Sequence, residues 1–188
     1  RNGLSNEALK CFTQMQDAGV HPDAVTYAHI LKACGNVGSL DIGEDVDAQV
    51  RKRKLLQRDI VLGNALIDMY GKCGAIEKAR KVFLDLPKRD VVTWSALISA
   101  CSLHNQDKEA LQLFDKMRET SGIDPDHIIF TCTLKACSNI SALHKGQMIH
   151  IHLIKSGIGF ELSSSNTLID LYIKCGRLED ACRMFNRS

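Results

Sequence analysis

Eight cysteines, seven histidines and a recurring set of acidic residues carry the reactive groups of this 188-residue chain, and their spacing decides what chemistry is open to it. An even cysteine count is compatible with disulfides or a metal. No two cysteines stand as Cys-x-x-Cys, however, and the intervals between them are wide, which favours free thiols in a reducing compartment. His150-x-His152 is a close histidine pair, but residues two apart on a helix point to nearly opposite sides. The matching place earlier in the chain holds Asp47 instead of His150, so no metal is assigned. No nucleophile paired with a base and no phosphate loop stands out, so the chain reads as non-enzymatic, with no catalytic residue, no cofactor and no small-molecule substrate. Arg51-Lys52-Arg53-Lys54 reads as a solvated helix end or as a sequence-independent contact to RNA.

Bulk properties narrow the choice further. With 45% hydrophobic residues the chain can build a packed interior, and 24 Lys and Arg against 22 Asp and Glu leave a balance of +2, so any basic surface must come from arrangement. No apolar run approaches the roughly 18 residues of a membrane helix. The chain opens Arg1-Asn2-Gly3 without a signal or transit pattern and closes at Ser188, as expected of a piece of a longer protein.

The elements that must position these groups are visible as an internal repeat. Asn6-Glu7-Ala8-Leu9 with Phe12 and Met15 returns as Lys108-Glu109-Ala110-Leu111 with Phe114 and Met117, 102 residues on. Leu31-Lys32-Ala33-Cys34 returns at Leu134-Lys135-Ala136-Cys137, and Asn64-Ala65-Leu66-Ile67-Asp68-Met69-Tyr70 returns at Asn166-Thr167-Leu168-Ile169-Asp170-Leu171-Tyr172. A shorter period lies inside the long one, with repeats starting at Ala24, Ile60, Val91, His127 and Leu162 and running 36, 31, 36 and 35 residues plus a remainder. Each repeat carries two apolar stripes at helical spacing, such as Leu66, Ile67 and Tyr70 followed by Ile76, Ala79, Val82 and Phe83. Pro22, Pro87 and Pro125 lie near repeat ends, and Gly74 and Gly176 separate first from second helices. Each repeat is therefore a helical hairpin. Because a hairpin of about 35 residues buries its apolar face only against neighbours, the expected fold is all-α, a superhelical solenoid of helix-turn-helix repeats with about eleven helices.

The segment Val91-Val92-Thr93-Trp94-Ser95-Ala96-Leu97-Ile98 through Gly122-Ile123-Asp124-Pro125-Asp126, flanked by Leu-Lys-Ala-Cys and Tyr-x-Lys-Cys-Gly repeats, resembles the plant P-L-S subfamily of pentatricopeptide repeat proteins. The resemblance runs essentially end to end. It implies a right-handed superhelix divided into a partial P repeat over 1–23, L over 24–59, S over 60–90, P over 91–126, L over 127–161 and a partial S over 162–188.

The resemblance also implies a mode of action, the modular reading of single-stranded RNA at one base per repeat. In that family the second, fifth and last residues of a repeat address the base, and a basic residue near the thirteenth contacts the backbone. The second residues here are Val25, Val61, Val92, Ile128 and Ser163, of which the four aliphatic ones would flank bases. The fifth residues are Ala28, Asn64, Ser95, Thr131 and Asn166, and the last are Asp23, Asp59, Asp90, Asp126 and Glu161. Asn64 with Asp90 resembles the uridine-type pair and Ser95 with Asp126 the guanine-type pair. Asn166 implies a pyrimidine, and Thr131 with Glu161 and Ala28 with Asp59 would read weakly. Lys72 and Lys174 occupy the phosphate position, where a cation also suits the end of a helix.

Each of these residues has a plainer role open to it. Asp90 and Asp126 stand where helix caps stand, Lys72 and Lys174 where a solvated lysine is ordinary, and Asn64 and Asn166 in a first turn that gives an amide no propensity advantage. Cys34, Cys101 and Cys137 share position eleven and Cys73 and Cys175 position fourteen, as small packing groups would. Tyr27, Trp94 and Phe130 share position four, which points to a common pocket between helices. Plant relatives of this subfamily often end in a cytidine deaminase domain, whose His-x-Glu and Pro-Cys-x-x-Cys set is absent from residues 1–188. The resemblance thus implies the target-recognition part of an RNA editing or processing factor of mitochondrion or chloroplast, with multiple organellar RNA editing factor proteins as further partners through the L repeats and no membrane partner. The competing expectation is a protein-interaction scaffold of tetratricopeptide type.

Overall fold

The computed structural model describes residues 2–159 and 161–186, and among them all regular structure is helical. Eleven α-helices follow one another: α1 (Asn2–Asp17), α2 (Ala24–Val37), α3 (Leu40–Lys52), α4 (Ile60–Lys72), α5 (Ile76–Asp85), α6 (Val91–Leu103), α7 (Asp107–Thr120), α8 (His127–Asn139), α9 (Leu143–Ser156), α10 (Leu162–Lys174) and α11 (Leu178–Phe185). A short 3-10 turn, Leu55–Gln57, lies between α3 and α4.

The starts and turns follow from a few recurring residues. Four first helices open on an aspartate whose carboxylate takes a backbone N–H of the first turn: Asp23 from Thr26 at 2.7 Å, Asp59 from Val61 at 2.9 Å, Asp90 from Thr93 at 2.8 Å and Asp126 from Ile129 at 2.8 Å. Glu161, at the start of α10, makes no such bond. Between first and second helices the fifteenth residue of every repeat turns left-handed: Gly38, Gly74 and Gly176 at φ 74°, 78° and 73°, Asn105 at 56° and Ser141 at 53°. The N–H one residue later then returns to the carbonyl of the eleventh residue, at 2.8–3.0 Å for Ser39, Ala75, Gln106, Ala142 and Arg177. This is the six-to-one closure that satisfies a helix end and reverses the chain.

The chain forms two compact bodies, Arg1–Ala100 and Cys101–Ser188, divided inside α6. In the first body α2 packs on α1, α3 and α4, and α4 on α3 and α5; in the second α8 packs on α7, α9 and α10, and α10 on α9 and α11. The position-four aromatics tie one hairpin to the last helix before it. Tyr27 meets Phe12 with ring centroids 6.3 Å apart, Trp94 meets Phe83 at 4.7 Å and Phe130 meets Phe114 at 6.4 Å. All six rings are buried, and burying a side chain of the size of Phe130 contributes about 1.5–3 kcal/mol. In each body a glycine of a second helix admits a large side chain from the next first helix. A Cβ on Gly43 would lie 2.5 Å from Met69 Sδ, and one on Gly146 would collide with Leu171.

Within the Arg51-Lys54 run, expected as a solvated helix end, the two arginines make specific contacts. Arg51 bonds Asp47 at 2.8 Å and Asp85 at 2.7 Å, while Arg53 donates to the Pro22 carbonyl at 2.9 Å and lies over the Tyr27 ring. Lys52, Arg53 and Lys54 are all exposed.

Candidate nucleic-acid interface

The second residues of four first helices are branched aliphatics, yet Val25, Val61, Val92 and Ile128 are 63%, 61%, 51% and 41% exposed. Ser163 is exposed as well. Four branched apolar groups thus stand largely open to solvent at one repeat position.

Beside Val61 and Val92, in the first body, the structure brings together Asn64 and Asp90. The Asn64 Nδ2 donates to Asp90 Oδ1 at 3.3 Å, and the Asn64 Oδ1 accepts the Thr93 hydroxyl at 2.7 Å. The same Asp90 oxygen accepts the Thr93 N–H and lies 2.8 Å from the Thr93 hydroxyl. Burial works to raise the Asp90 pKa, but the hydrogen bonds from Thr93 and Asn64 outweigh it and hold the carboxyl below its ordinary range. Asp90 is therefore an acceptor at neutral pH. The Asn64 amide, half-buried, still has one N–H and one carbonyl lone pair to offer a ligand.

The other reader positions are arranged differently. Ala28 brings no polar group, and Asp59 is occupied as the cap of α4. Ser95 is buried in the first body, and Asp126 caps α8 in the second. The Thr131 hydroxyl donates to the His127 carbonyl at 2.8 Å, and Glu161 Oε1 stands 4.0 Å from His127 Nδ1. Asn166 is exposed on α10. Asp23 holds both the N–H and the hydroxyl of Thr26, each at 2.7 Å, and the Thr26 bonds lower its pKa.

The two lysines at the phosphate position each carry an ion pair. Lys72 Nζ is 2.6 Å from Asp68 and Lys174 Nζ 2.8 Å from Asp170, one helical turn back in both cases. Asp170 also accepts the Ser138 hydroxyl. Such exposed pairs are weak and leave ammonium donors for a second acceptor. His150 and His152 serve different neighbours: His150 Nδ1 meets the Tyr172 hydroxyl at 2.8 Å and His152 packs 5.6 Å from the Phe130 ring. Among the described residues no group of three or more His, Cys, Asp or Glu is placed to hold a metal, and no helix is long and apolar enough to cross a membrane.

Thr93 is the member of this cluster that the residue pattern did not single out. Its signal was present in Asp23-Ala-Val-Thr26 and Asp90-Val-Val-Thr93, an acid followed three residues later by a hydroxyl at a helix start.

Fold and site together define a helical-hairpin repeat protein in which four first helices expose a branched apolar residue at their second position. The profile of the PPR repeat family matches residues 89–139, that of the pentatricopeptide repeat domain residues 10–73, and that of the PPR repeat residues 64–91 and 163–187. A pentatricopeptide repeat-containing protein of Arabidopsis thaliana is 38% identical over 186 residues, which cover 99% of this chain and 33% of the relative. Two others from the same plant, one named chloroplastic and one mitochondrial, are 35% identical over 185 residues each, 98% of this chain and 21% and 18% of the relatives. Among solved structures, the maize pentatricopeptide repeat protein PPR10 bound to an 18-nt psaJ RNA element superposes with a TM-score of 0.73 at 21% identity, over 93% of this chain and 26% of that one. The PPR domain of Arabidopsis thaliana protein-only RNase P 1, in complex with tRNA, superposes at 0.67 and 12% identity, over 84% of each chain. The chain belongs to the pentatricopeptide repeat family, and it spans about a fifth to a third of the length of these curated relatives.

Proposed function

We propose that this chain reads single-stranded RNA, one base per hairpin, as the target-recognition part of an organellar RNA editing or processing factor whose repeats follow the P-L-S order. The observation that carries the reading is the Asn64 amide held against Asp90 at 3.3 Å, on helices whose second residues, Val61 and Val92, stand exposed. An amide and two aliphatic flanks supply what a splayed-out base needs, hydrogen bonds to its edge and contact for its faces. Lys72 and Lys174 would share their ammonium protons with phosphates. The RNA bound in the maize and RNase P structures and the organelle names of the relatives support the reading. The recognition itself needs no catalytic residue, cofactor or metal.

The test is fluorescence anisotropy of the full chain on RNAs that differ at the base addressed by hairpin 60–90, across a salt series. Wild type prefers U there, and Asn64→Ser moves the preference toward G, by about tenfold in relative affinity for each good hydrogen-bonded contact. Equal binding to every base, lost steeply with salt, would mean phosphate attraction alone.

A second reading, a protein-binding scaffold, is favoured by α9. Met148, Ile151 and Ile154 are 51%, 48% and 54% exposed there, where the corresponding places of α3 hold Asp45, Ala48 and Arg51. A protein partner of the L repeats, such as a multiple organellar RNA editing factor, would belong to this reading.

A further inference from the structure

Thr93 is fully buried, and its hydroxyl lies between two acceptors, Asn64 Oδ1 at 2.7 Å and Asp90 Oδ1 at 2.8 Å, while accepting the Asp90 N–H at 3.2 Å. A hydroxyl has one proton. Asp90 Oδ1 already receives the Thr93 N–H at 2.8 Å and the Asn64 Nδ2 at 3.3 Å. With the hydroxyl donating to Asn64 Oδ1, the Thr93 hydroxyl, both ends of the Asn64 amide and Asp90 Oδ1 all have a partner. Hairpin 24–59 supplies the contrast. Thr26 stands in the same relation to Asp23, and its hydroxyl turns to the carboxylate at 2.7 Å. The amide of Asn64 gives the Thr93 hydroxyl a second destination.

The consequence is a fixed polarity for the amide. A carboxylate accepts and never donates, so it takes the Nδ2 side; the hydroxyl then meets the Oδ1 side. Turning the amide over would set Oδ1 against Asp90 and remove the acceptor from the hydroxyl. This matters because uracil and cytosine present opposite edges. Uracil offers an N–H flanked by carbonyl acceptors, and cytosine offers a ring-nitrogen acceptor beside an amino donor. An amide free to turn over serves both, whereas an amide of fixed polarity serves one.

We propose that Thr93 is a specificity-determining positioning residue, which fixes the orientation of the Asn64 amide so that hairpin 60–90 separates uracil from cytosine. The proposal rests on the base reading above. Among the described residues the three-way cluster occurs at this hairpin alone. At the third-residue place Leu62 follows Asp59 and Ile129 follows Asp126, neither with a hydroxyl, and Ser164, which follows Glu161, donates its hydroxyl to the Glu161 backbone carbonyl at 2.9 Å.

The test uses the full chain and two variants, Thr93→Val, which keeps the shape and removes the hydroxyl, and Thr93→Ser, which restores it. Two RNAs differing by U or C at the base of hairpin 60–90 are titrated against each protein, and the Asn64 side-chain amide is followed by NMR without RNA. The expected result is a U-over-C ratio of about tenfold in wild type and in Thr93→Ser, falling to about twofold in Thr93→Val. Most of that change should come from tighter C binding. The two Asn64 amide protons are expected to be well separated and slow to exchange in the first two proteins and not in the third. A ratio preserved in Thr93→Val, with both RNAs weakened alike, makes Thr93 a helix cap alone and overturns the proposal while base reading stands. A wild type indifferent to U and C at this base overturns the reading itself, and the proposal falls with it.

Discussion

In the first body the Asp47 carboxylate of α3 accepts the Tyr70 hydroxyl of α4 at 2.8 Å; in the second, His150 of α9 meets the Tyr172 hydroxyl of α10 at the same distance. Two residues further along each second helix, Gln49 accepts the Tyr27 hydroxyl at 2.9 Å, whereas His152 packs on the Phe130 ring. The apolar parts of the two stretches match far more closely. Gly43 faces Met69 as Gly146 faces Leu171, and Cys34 and Cys137 are both fully buried. Burial pushes these two thiols up to about 11 and about 12, so both are packing groups rather than thiolates. Shape is held constant by the close approach of helices, which tolerates little change of volume, while a polar partner need only supply an acceptor. The result is one packing scheme with two acid responses.

The largest expected difference lies in the two tyrosines. Burial first, and then the Asp47 carboxylate, hold the Tyr70 phenol well above its ordinary pKa; burial also raises Tyr172, against a neighbour with no carboxylate in the Asp47 place. A hydrogen bond to a charged acceptor contributes more than one between neutral groups. Tyr70→Phe should therefore cost about 2 kcal/mol and Tyr172→Phe about 1 kcal/mol. Hydrogen exchange of the α4 and α10 amides in the full chain measures each locally, which suits an array whose hairpins open in parts. Equal losses would mean that the Arg51 contact to Asp47 has already taken up the advantage of the charge.

The second difference concerns pH. Burial, and behind it the charge of Arg118, lower the pKa of His152 from 6.5, with Asp124 opposing and Lys155 adding to the shift. The folded second body thus favours the neutral ring, and stability from His152 is complete above the unfolded pKa and drains away as pH falls through the lowered folded value. Local stability around α8 and α9 should decline between about pH 7 and pH 5, and His152→Gln, the residue type of Gln49, should flatten that decline. Amide exchange at the two pH values decides it. A decline unchanged in the variant would move the cause to another group of the same body.

These differences also mark what could be read in the chain and what could not. The all-helical hairpins were legible from apolar stripes and punctuation, because one period of 3.6 recurs with turns between. The left-handed turn was legible at Gly74 and Gly176 from residue type. At Asn105 and Ser141 it follows only from register, since no glycine announces it. Gly43 and Gly146 were opaque, because a helical glycine acquires meaning from the side chain it faces across the fold. Arg51 and Arg53 read as solvated because their partners, Asp85 and Pro22, lie 34 and 31 residues away. At the candidate interface the amide and acid of Asn64 and Asp90 were legible from the resemblance. The hydroxyl between them was not, since a threonine at a helix start is ordinary until its distances are known.

The smallest expected effect compares the two turns that close α2 and α8. Gly38 and Ser141 hold the same place, at φ 74° and 53°. A serine pays for its Cβ in the left-handed region, by roughly 1 kcal/mol, and glycine does not. Glycine loses more chain entropy on folding, which returns part of that gain. Ser141→Gly should accordingly stabilise the second body by about 0.5 kcal/mol, and Gly38→Ser should destabilise the first by about as much or somewhat more. Urea unfolding of the full chain, read against amide exchange in α9 and α3, resolves shifts of this size. A loss on Ser141→Gly would show that unfolded-chain entropy outweighs the relief at φ 53°, and that this turn is held by the Ala142 N–H bond to Cys137 rather than by its residue type.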